Sequence, residues 1–250
     1  NTAVGDNALT LNSTGAQNTA VGQQSLDANT TGSYNTAVGN DALGANTTAT
    51  YNTALGYQAL YVNTTGDHNV AIGYAALDAN TVGDRNTAVG NHALTAYNPS
   101  SNEDGYNSAV GYGALSATTT GNKNTAFGSY ALTANTTASS NTAIGYYALA
   151  TATTATGNTA VGNLALYLTT ASQNTAVGDQ ALEVTSTGDS NTAVGDRAMH
   201  ANTTGGKNTA VGVYALNANT TASNNSAFGY CALVSNTTGH SNVAVGYNAL

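Results

Sequence analysis

The sequence predicts an all-β protein, a parallel β-solenoid (β-roll) with one coil per 17-residue repeat. Three observations support this fold class. The motif Asn-Thr-Ala-Val-Gly-x-x-Ala-Leu-x-Ala-Asn-Thr-Thr-Gly-x-x returns along the whole chain, each copy contains at least one glycine, and the hairpin dipeptide Asn-Gly never occurs. A unit this short cannot enclose a core of its own, so each copy has to stack on its neighbours. Without hairpin turns, parallel stacking is favoured.

The copies form a single predicted repeat array over residues 1–250 of about 15 coils, with no linker between them. The sixth copy is lengthened to 21 residues and the tenth shortened to 16, both in the same turn. Because the last copy stops part-way, at Leu250, we interpret the chain as a fragment of a longer fibre. Every copy opens with asparagine: Asn1, Asn18, Asn35, Asn52, Asn69, Asn86, Asn107, Asn124, Asn141, Asn158, Asn174, Asn191, Asn208, Asn225 and Asn242.

Numbering each repeat from its asparagine as positions 1 to 17 gives the expected local structure. Position 3 is always Ala, position 5 always Gly, and position 9 is Leu except at Met199. The β-branched residues at positions 2 and 4 favour a first short strand, and the segment after the glycine turn predicts a second strand. A glycine in every unit and a Thr-Thr turn in most of them argue strongly against helix. The position-1 amides, which both donate and accept, are expected to form a ladder along the array.

Two large apolar side chains per coil, at positions 4 and 9, are the predicted core. That is little apolar burial to offset the ordering of a whole coil. We therefore expect a second buried face, formed by the recurrent Ala of positions 3 and 8 against a parallel copy of the chain. The alternative is that these Ala fill the coil interior while positions 4 and 9 meet a partner. Either arrangement predicts self-assembly, as a homotrimer or as a higher filament.

Composition excludes several classes of partner. Only 6% of residues are charged and only four are Lys or Arg, so no basic stripe exists to follow a nucleic-acid backbone. Apolar runs are too short to span a bilayer, so no membrane insertion by this segment is expected. The single Cys231 cannot form an internal disulfide. The fixed apolar positions argue against a disordered low-complexity chain.

No pattern of reactive side chains predicts an enzyme, a metal site or a cofactor. The four histidines occupy unrelated positions of the repeat, so they form no expected ligand set: His68, His92, His200 and His240. The acidic segment 102–105 in the long sixth copy is read as an exposed turn rather than a Ca²⁺ loop.

Exposed tyrosines are the first candidate surface contacts. Six of them share position 6, where neighbours in adjacent coils are expected to stack: Tyr57, Tyr74, Tyr112, Tyr146, Tyr230 and Tyr247. They suit a host-surface protein or a glycan as partner, although tyrosines that simply cover the glycine turn would look the same.

The insertion supplies further candidates, because it alone breaks the symmetry: Asn98, Glu103 and Asp104. Eight Asn-x-Thr turns also match the N-glycosylation acceptor pattern, although asparagine is favoured in turns for its own reasons.

Asn69-Val-Ala-Ile-Gly-Tyr-Ala-Ala and Asn242-Val-Ala-Val-Gly-Tyr-Asn-Ala resemble the head repeats of YadA-like trimeric autotransporter adhesins, whose unit carries a Val-Ala-Ile-Gly-x-x-Ala core. The array is also similar to repeats of phage tail fibres. This resemblance implies a homotrimeric parallel β-roll, left-handed and extracellular, displayed on a cell surface or a virion fibre. The chain departs from the adhesin pattern in its longer period and in the Thr that mostly replaces the first Val.

The predicted function is a non-enzymatic extracellular fibre or shaft module, a structural spacer with adhesive potential that self-assembles from parallel chains. Two alternatives remain open. The first is a receptor- or host-binding adhesin head or phage tail fibre. The second is an ice-binding solenoid, suggested by the Thr content, although each position-2 Thr is paired with an apolar position 4 instead of a second Thr.

Overall fold

A computed structural model describes residues 1–250 and shows an all-β chain with no helix. The structure therefore has no helix long and apolar enough to cross a lipid bilayer. Each repeat contributes one strand of three residues. The strands are β1 (Thr2–Val4), β2 (Thr19–Val21), β3 (Thr36–Val38), β4 (Thr53–Leu55), β5 (Val70–Ile72), β6 (Thr87–Val89), β7 (Ser108–Val110), β8 (Thr125–Phe127), β9 (Thr142–Ile144), β10 (Thr159–Val161), β11 (Thr175–Val177), β12 (Thr192–Val194), β13 (Thr209–Val211), β14 (Ser226–Phe228) and β15 (Val243–Val245).

The chain divides into two compact units, Asn1–Asn124 and Thr125–Leu250. In the first unit, β1 to β7 pair in chain order, all parallel and matched position for position, as in Thr36↔Thr53. In the second unit, β8 to β15 pair in the same way. Both irregular repeats keep this register, since the length changes are confined to a turn. The parallel β-solenoid predicted from the 17-residue period is confirmed.

The prediction of two strands per coil is wrong, because only positions 2 to 4 form a strand. In a strand, the Ala at position 8 and the Leu at position 9 of a repeat would point to opposite faces. The structure buries both, as in Ala59 and Leu60, each 0% exposed. Backbone conformation explains the difference, since positions 7 and 9 take left-handed φ values, 55° at Gln58 and 53° at Leu60. This segment still bonds to its neighbours along the array, for example Leu60 N–H to Ala76 C=O at 3.0 Å.

A left-handed backbone at positions 7, 9 and 17 restricts which residue types occur there. β-Branched residues tolerate positive φ worst, and no Thr, Val or Ile occurs at these three positions in any copy of this Thr-rich chain. Leu at position 9 bears a conformational cost of roughly 1–2 kcal/mol. Its full burial contributes about 1.5–3 kcal/mol in return. The side chain that fills the core therefore has to be large but not branched at Cβ, which suits Leu and Met199.

Small residues fill the interior of each coil. Outside the two terminal coils, the position-3 and position-8 alanines are buried inside the solenoid, as are Leu60 and the equivalent leucines. The expectation that these alanines line a contact with a second chain is therefore wrong, because they pack within their own coil. Position 4 was assigned to the core, and that assignment is also wrong. Alternation around an inward Ala puts the position-2 and position-4 side chains on the outer face of the strand.

The position-1 asparagines lie in the interior and bond mainly to backbone. Asn52 is typical: its Oδ1 accepts from the N–H of Asn69 at 2.8 Å, and its Nδ2 donates to the carbonyl of Gly66 at 2.8 Å. The first bond joins one coil to the next, and the second closes the turn of the same coil. Direct amide-to-amide bonds also occur, as from Asn86 Nδ2 to Asn69 Oδ1 at 3.2 Å.

A second asparagine ladder, at position 12, was not predicted. Here the amides bond directly along the array: Asn80 Nδ2 donates to Asn63 Oδ1 at 2.9 Å, and Asn46 Nδ2 donates to Asn29 Oδ1 at 2.8 Å. Apart from Asn80, these asparagines match the glycosylation pattern. Asn29, Asn46 and Asn63 are 0% exposed, so a glycan on them is incompatible with the folded coil. Their conserved spacing is explained by the ladder.

The position-5 glycines allow the coils to approach closely. Gly56 has φ +136°, and a Cβ at this site would lie 2.6 Å from the carbonyl oxygen of Gly73 in the next coil. Neither the conformation nor the space admits a side chain. This explains why position 5 is Gly in every copy.

Candidate functional site

The outer face of the strands carries a row of aliphatic and aromatic side chains at position 4, which we call the apolar stripe. These side chains point away from a fully buried Ala, and none of them is buried within the chain. In the first unit the stripe comprises Val4, Val21, Val38, Leu55, Ile72, Val89 and Val110; in the second unit it comprises Phe127, Ile144, Val161, Val177, Val194, Val211, Phe228 and Val245.

Four of the five largest members of the stripe are exposed, and Ile72 is partly exposed. Leu55 is 46% exposed, Phe127 55%, Ile144 41% and Phe228 40%. No Asp, Glu, Lys or Arg occurs within any strand, so no charge interrupts the stripe. An exposed row of apolar side chains of this kind is a candidate site of interaction.

Hydroxyl groups run beside the stripe at position 2. The side chains of Thr36 and Thr53 are only partly covered and make no hydrogen bond within the chain, unlike the position-13 threonines. Thr47, for example, donates its hydroxyl to the carbonyl of Thr64 at 3.1 Å. The outer face therefore combines apolar groups with hydroxyls that are available to water or to a partner.

All six position-6 tyrosines predicted as contacts are exposed, at 45% or more. The rings of Tyr57 and Tyr74 are stacked at 5.7 Å between centroids, and those of Tyr230 and Tyr247 at 5.2 Å. Each follows a stripe residue by two positions, so the position-6 tyrosines widen the apolar surface locally.

Other aromatic stacks were missed by the sequence analysis. Tyr34 and Tyr51, at position 17 of adjacent coils, lie 4.8 Å apart with nearly parallel rings, and His68 continues the stack 5.0 Å from Tyr51. At position 7, Tyr130 and Tyr147 stack at 4.9 Å. The sequence could have predicted these stacks, because planar side chains recur at the same repeat position in adjacent copies.

The insertion in the sixth copy places its three candidate residues apart. Asn98 continues the threonine row, with its Oδ1 accepting from the hydroxyl of Thr81 at 2.7 Å. Glu103 is exposed at the tip, and its carbonyl accepts from the N–H of Asp84 at 3.0 Å.

Asp104 is the most constrained residue of the insertion. The Tyr106 hydroxyl donates to its carboxylate at 2.8 Å, and Arg85 forms an ion pair with it. These two contacts hold the pKa of the Asp104 carboxyl below its usual range. The insertion is thus anchored to the preceding coil instead of extending freely.

Tyr97 is the one tyrosine that the structure buries. It occupies position 12, an interior position, and is 0% exposed. Burial, together with the charge of Glu103, raises the pKa of its hydroxyl to about 12.

The four histidines are not brought together. His200 lies 3.0 Å from Glu183, and His68 and His92 belong to aromatic stacks. The structure contains no group of three or more His, Cys, Asp or Glu side chains able to hold a metal ion. None of the sixteen Asp, Glu, Lys and Arg residues is buried.

No known family model matches the chain, and no curated protein resembles it at a significant level. The geometry of the apolar stripe is therefore the main guide to function.

Proposed function

We propose that this chain is a non-enzymatic fibre or shaft module that assembles with parallel copies of itself through the apolar stripe, outside a cell or on a virion. The observation that carries the proposal is the exposed, uncharged stripe on the outer face of the strands. Assembly would remove these side chains from water, at about 25 cal/mol per Å² of apolar surface buried.

A second copy of the same chain fits the stripe for a geometric reason. Side chains of the stripe repeat once per coil, at a strand spacing of about 4.8 Å. Only a partner with the same axial repeat can stay in step with such a row over many coils. A parallel copy meets that requirement, and the absence of charge within the strands means that like charges do not oppose each other there. A homotrimer encloses three such stripes around one axis, and a filament is the alternative.

The extracellular location and the adhesive potential rest on the resemblance to adhesin head repeats and tail-fibre arrays. An adhesin or receptor-binding role would use surfaces that break the repeat, such as the exposed tyrosines or the insertion. Replacing residues 98–105 by the ordinary Asn-Thr-Thr-Gly turn and measuring attachment to cells and matrix tests that role. Lost attachment favours a receptor site, and unchanged absence of attachment favours a spacer.

The ice-binding alternative would use the same outer face, through the position-2 hydroxyls beside the stripe. It requires the face to be open to water, so it competes with assembly. Thermal hysteresis measured on the purified protein separates the two, since a chain whose face is covered by copies of itself cannot present that face to ice.

Self-assembly is tested by sedimentation of the 24.8 kDa chain. We expect the wild-type protein to sediment as a trimer or larger species. The double variant Leu55→Lys/Ile72→Lys should sediment as a monomer with an unchanged circular dichroism spectrum, because the substituted side chains point outward and lysines on parallel copies would face one another. A matched control, Thr48→Lys/Thr65→Lys, places the same charges at exposed turn positions and should assemble normally. A monodisperse wild-type monomer would overturn the proposal.

A further inference from the structure

Tyr34 and Tyr51 form the most closely aligned aromatic pair in the chain. Their ring centroids are 4.8 Å apart, their planes differ by 3°, and the side chains are 47% and 51% exposed. Both residues have a left-handed backbone, with φ 62° and 60°. Each also donates its N–H to the carbonyl of the preceding coil, Tyr34 to Ala16 and Tyr51 to Ser33. The two side chains therefore leave the backbone in the same direction, one coil apart.

The composition of the chain makes tyrosine its main site of one-electron oxidation. There is no Trp, the single Met199 is fully buried, and the single Cys231 lies in the second unit. Fifteen tyrosines are then the principal groups from which an oxidant at the surface can remove an electron. No thiol lies within the first unit to reduce a tyrosyl radical formed there.

We propose that Tyr34 and Tyr51 are a site of oxidative cross-linking, at which a haem peroxidase with hydrogen peroxide joins the two rings as dityrosine. Each phenol loses one electron and one proton to give a phenoxyl radical, whose unpaired electron is shared with the ring carbons ortho to the oxygen. The two radicals combine through one ortho carbon of each ring, and loss of the two ring protons restores aromaticity as both oxygens are reprotonated. Overall, two phenols and one hydrogen peroxide give one dityrosine and two water molecules.

The stacked geometry favours this coupling over other outcomes. Nearly parallel rings hold equivalent ortho carbons opposite each other, so a small rotation of one exposed side chain brings two of them into contact. The product bridges adjacent coils and closes a loop of one repeat. It would hold the second and third coils together when the rest of the solenoid opens.

Three other stacked tyrosine pairs rank below this one. Tyr130 and Tyr147 lie 4.9 Å apart, but their rings are inclined by 13° and both side chains are less exposed than Tyr34 and Tyr51. Tyr57 and Tyr74 are farther apart, at 5.7 Å between centroids. Tyr230 and Tyr247 lie at 5.2 Å, but Cys231 directly follows Tyr230, and its thiol can return a hydrogen atom to the radical. We therefore expect the Tyr34–Tyr51 cross-link to form first.

The proposal is tested by treating the full chain with peroxidase and hydrogen peroxide, then cleaving on the N-terminal side of aspartate. Cleavage at Asp27, Asp41 and Asp67 places Tyr34 in peptide 27–40 and Tyr51 in peptide 41–66. The expected product is these two peptides joined, with the mass of two hydrogen atoms lost and the blue fluorescence of dityrosine. Oxidised protein in which the two peptides remain separate would overturn the proposal.

Conservative variants test whether Tyr34 and Tyr51 are the cross-linked residues. Tyr34→Phe and Tyr51→Phe keep the stacked ring but cannot form a phenoxyl radical, so each should abolish the joined product. Tyr61→Phe is the matched control, since Tyr61 is also exposed, at 38%, and lies in the same peptide as Tyr51. It should leave the yield unchanged. A joined product that persists in both Tyr34→Phe and Tyr51→Phe, or that is lost in Tyr61→Phe, contradicts the assignment.

Isotope labelling distinguishes a link within one chain from a link between chains. Labelled and unlabelled protein are mixed under conditions that allow subunits to exchange, and then oxidised. Cross-linked peptide pairs should carry a single label type. Pairs of mixed label would show that the rings join across two copies, and would refute the pairing between neighbouring coils of one chain.

Discussion

The two asparagine ladders meet at a shared acceptor, which allows a quantitative test of how the interior is held together. The carbonyl of Gly66 accepts from Asn52 Nδ2 at 2.8 Å and from Asn63 Nδ2 at 2.9 Å. No other N–H of the chain donates to it. Removing one asparagine leaves this buried carbonyl satisfied, whereas removing both leaves it without a donor.

Asn52→Ala should lower the free energy of unfolding by about 1.5–4.5 kcal/mol. The N–H of Asn69 loses its partner, Asn52 Oδ1, and an unsatisfied buried donor costs about 1–3 kcal/mol. Loss of the Asn52 bond to Gly66 adds about 0.5–1.5 kcal/mol. Asn63→Ala should have an effect of similar size, because it breaks the bonds to Asn46 and from Asn80.

The double variant Asn52→Ala/Asn63→Ala should be destabilised by more than the sum of the single effects. The excess is the cost of the orphaned Gly66 carbonyl, about 1–3 kcal/mol. Urea denaturation followed by circular dichroism measures all the variants at one protein concentration. Asn52→Ala/Asn80→Ala is the control, because Asn80 donates to Gly83 and shares no partner with Asn52, so its effects should add. Additivity in the Gly66 pair would refute the shared-acceptor reasoning.

Asn52→Asp separates the two hydrogen bonds by pH. A carboxylate still accepts from Asn69 but cannot donate to Gly66, whereas the protonated acid can do both. Folding should therefore raise the pKa of the introduced carboxyl. The sign follows: the variant should be closest to wild-type stability below the ordinary carboxyl pKa of about 3.9, and should lose stability as pH rises through the folded-state pKa. Destabilisation that does not vary with pH would contradict this assignment.

Three further predictions concern close packing, ionisation and register. Gly56→Ala should strongly lower thermal stability, since its Cβ would lie 2.6 Å from the carbonyl oxygen of Gly73; a melting temperature equal to wild type would refute the close approach. The buried phenol of Tyr97, with its pKa raised to about 12, contributes stability that is present below its ordinary pKa of 10 and lost as pH rises towards 12. Tyr97→Phe should remove that part of the alkaline loss, as measured by the denaturation midpoint at each pH. If copies assemble through the apolar stripe, Leu55→Val/Ile72→Val should keep the oligomer but allow one copy to slip by one coil relative to another. Cysteines introduced on the outer face would report the slip as additional disulfide pairings between copies. If a single pairing remained, Leu55 and Ile72 would have no role in setting the register.

Much of the fold could be predicted because the repeat itself carries the information. An invariant Asn, Ala and Gly at fixed spacing determines a coil of one repeat, and the absence of Asn-Gly favours parallel neighbours. The exposure of the position-6 tyrosines could also be predicted, because the residue at position 6 varies from repeat to repeat. Position 17 could have been recognised as a column of planar side chains from Tyr34, Tyr51 and His68.

Tertiary structure alone decided which side of each strand faces inward. Alternation places position 3 opposite positions 2 and 4, but it does not say which face is the interior. The narrow coil is filled by Ala, by Leu in a left-handed backbone and by two rows of asparagine, so the larger position-4 side chains remain outside. Ala54 and Leu55 are neighbours in sequence, one fully buried and the other 46% exposed. That choice depends on how much volume seventeen residues can enclose when they stack, which is a property of the closed coil and not of any single repeat.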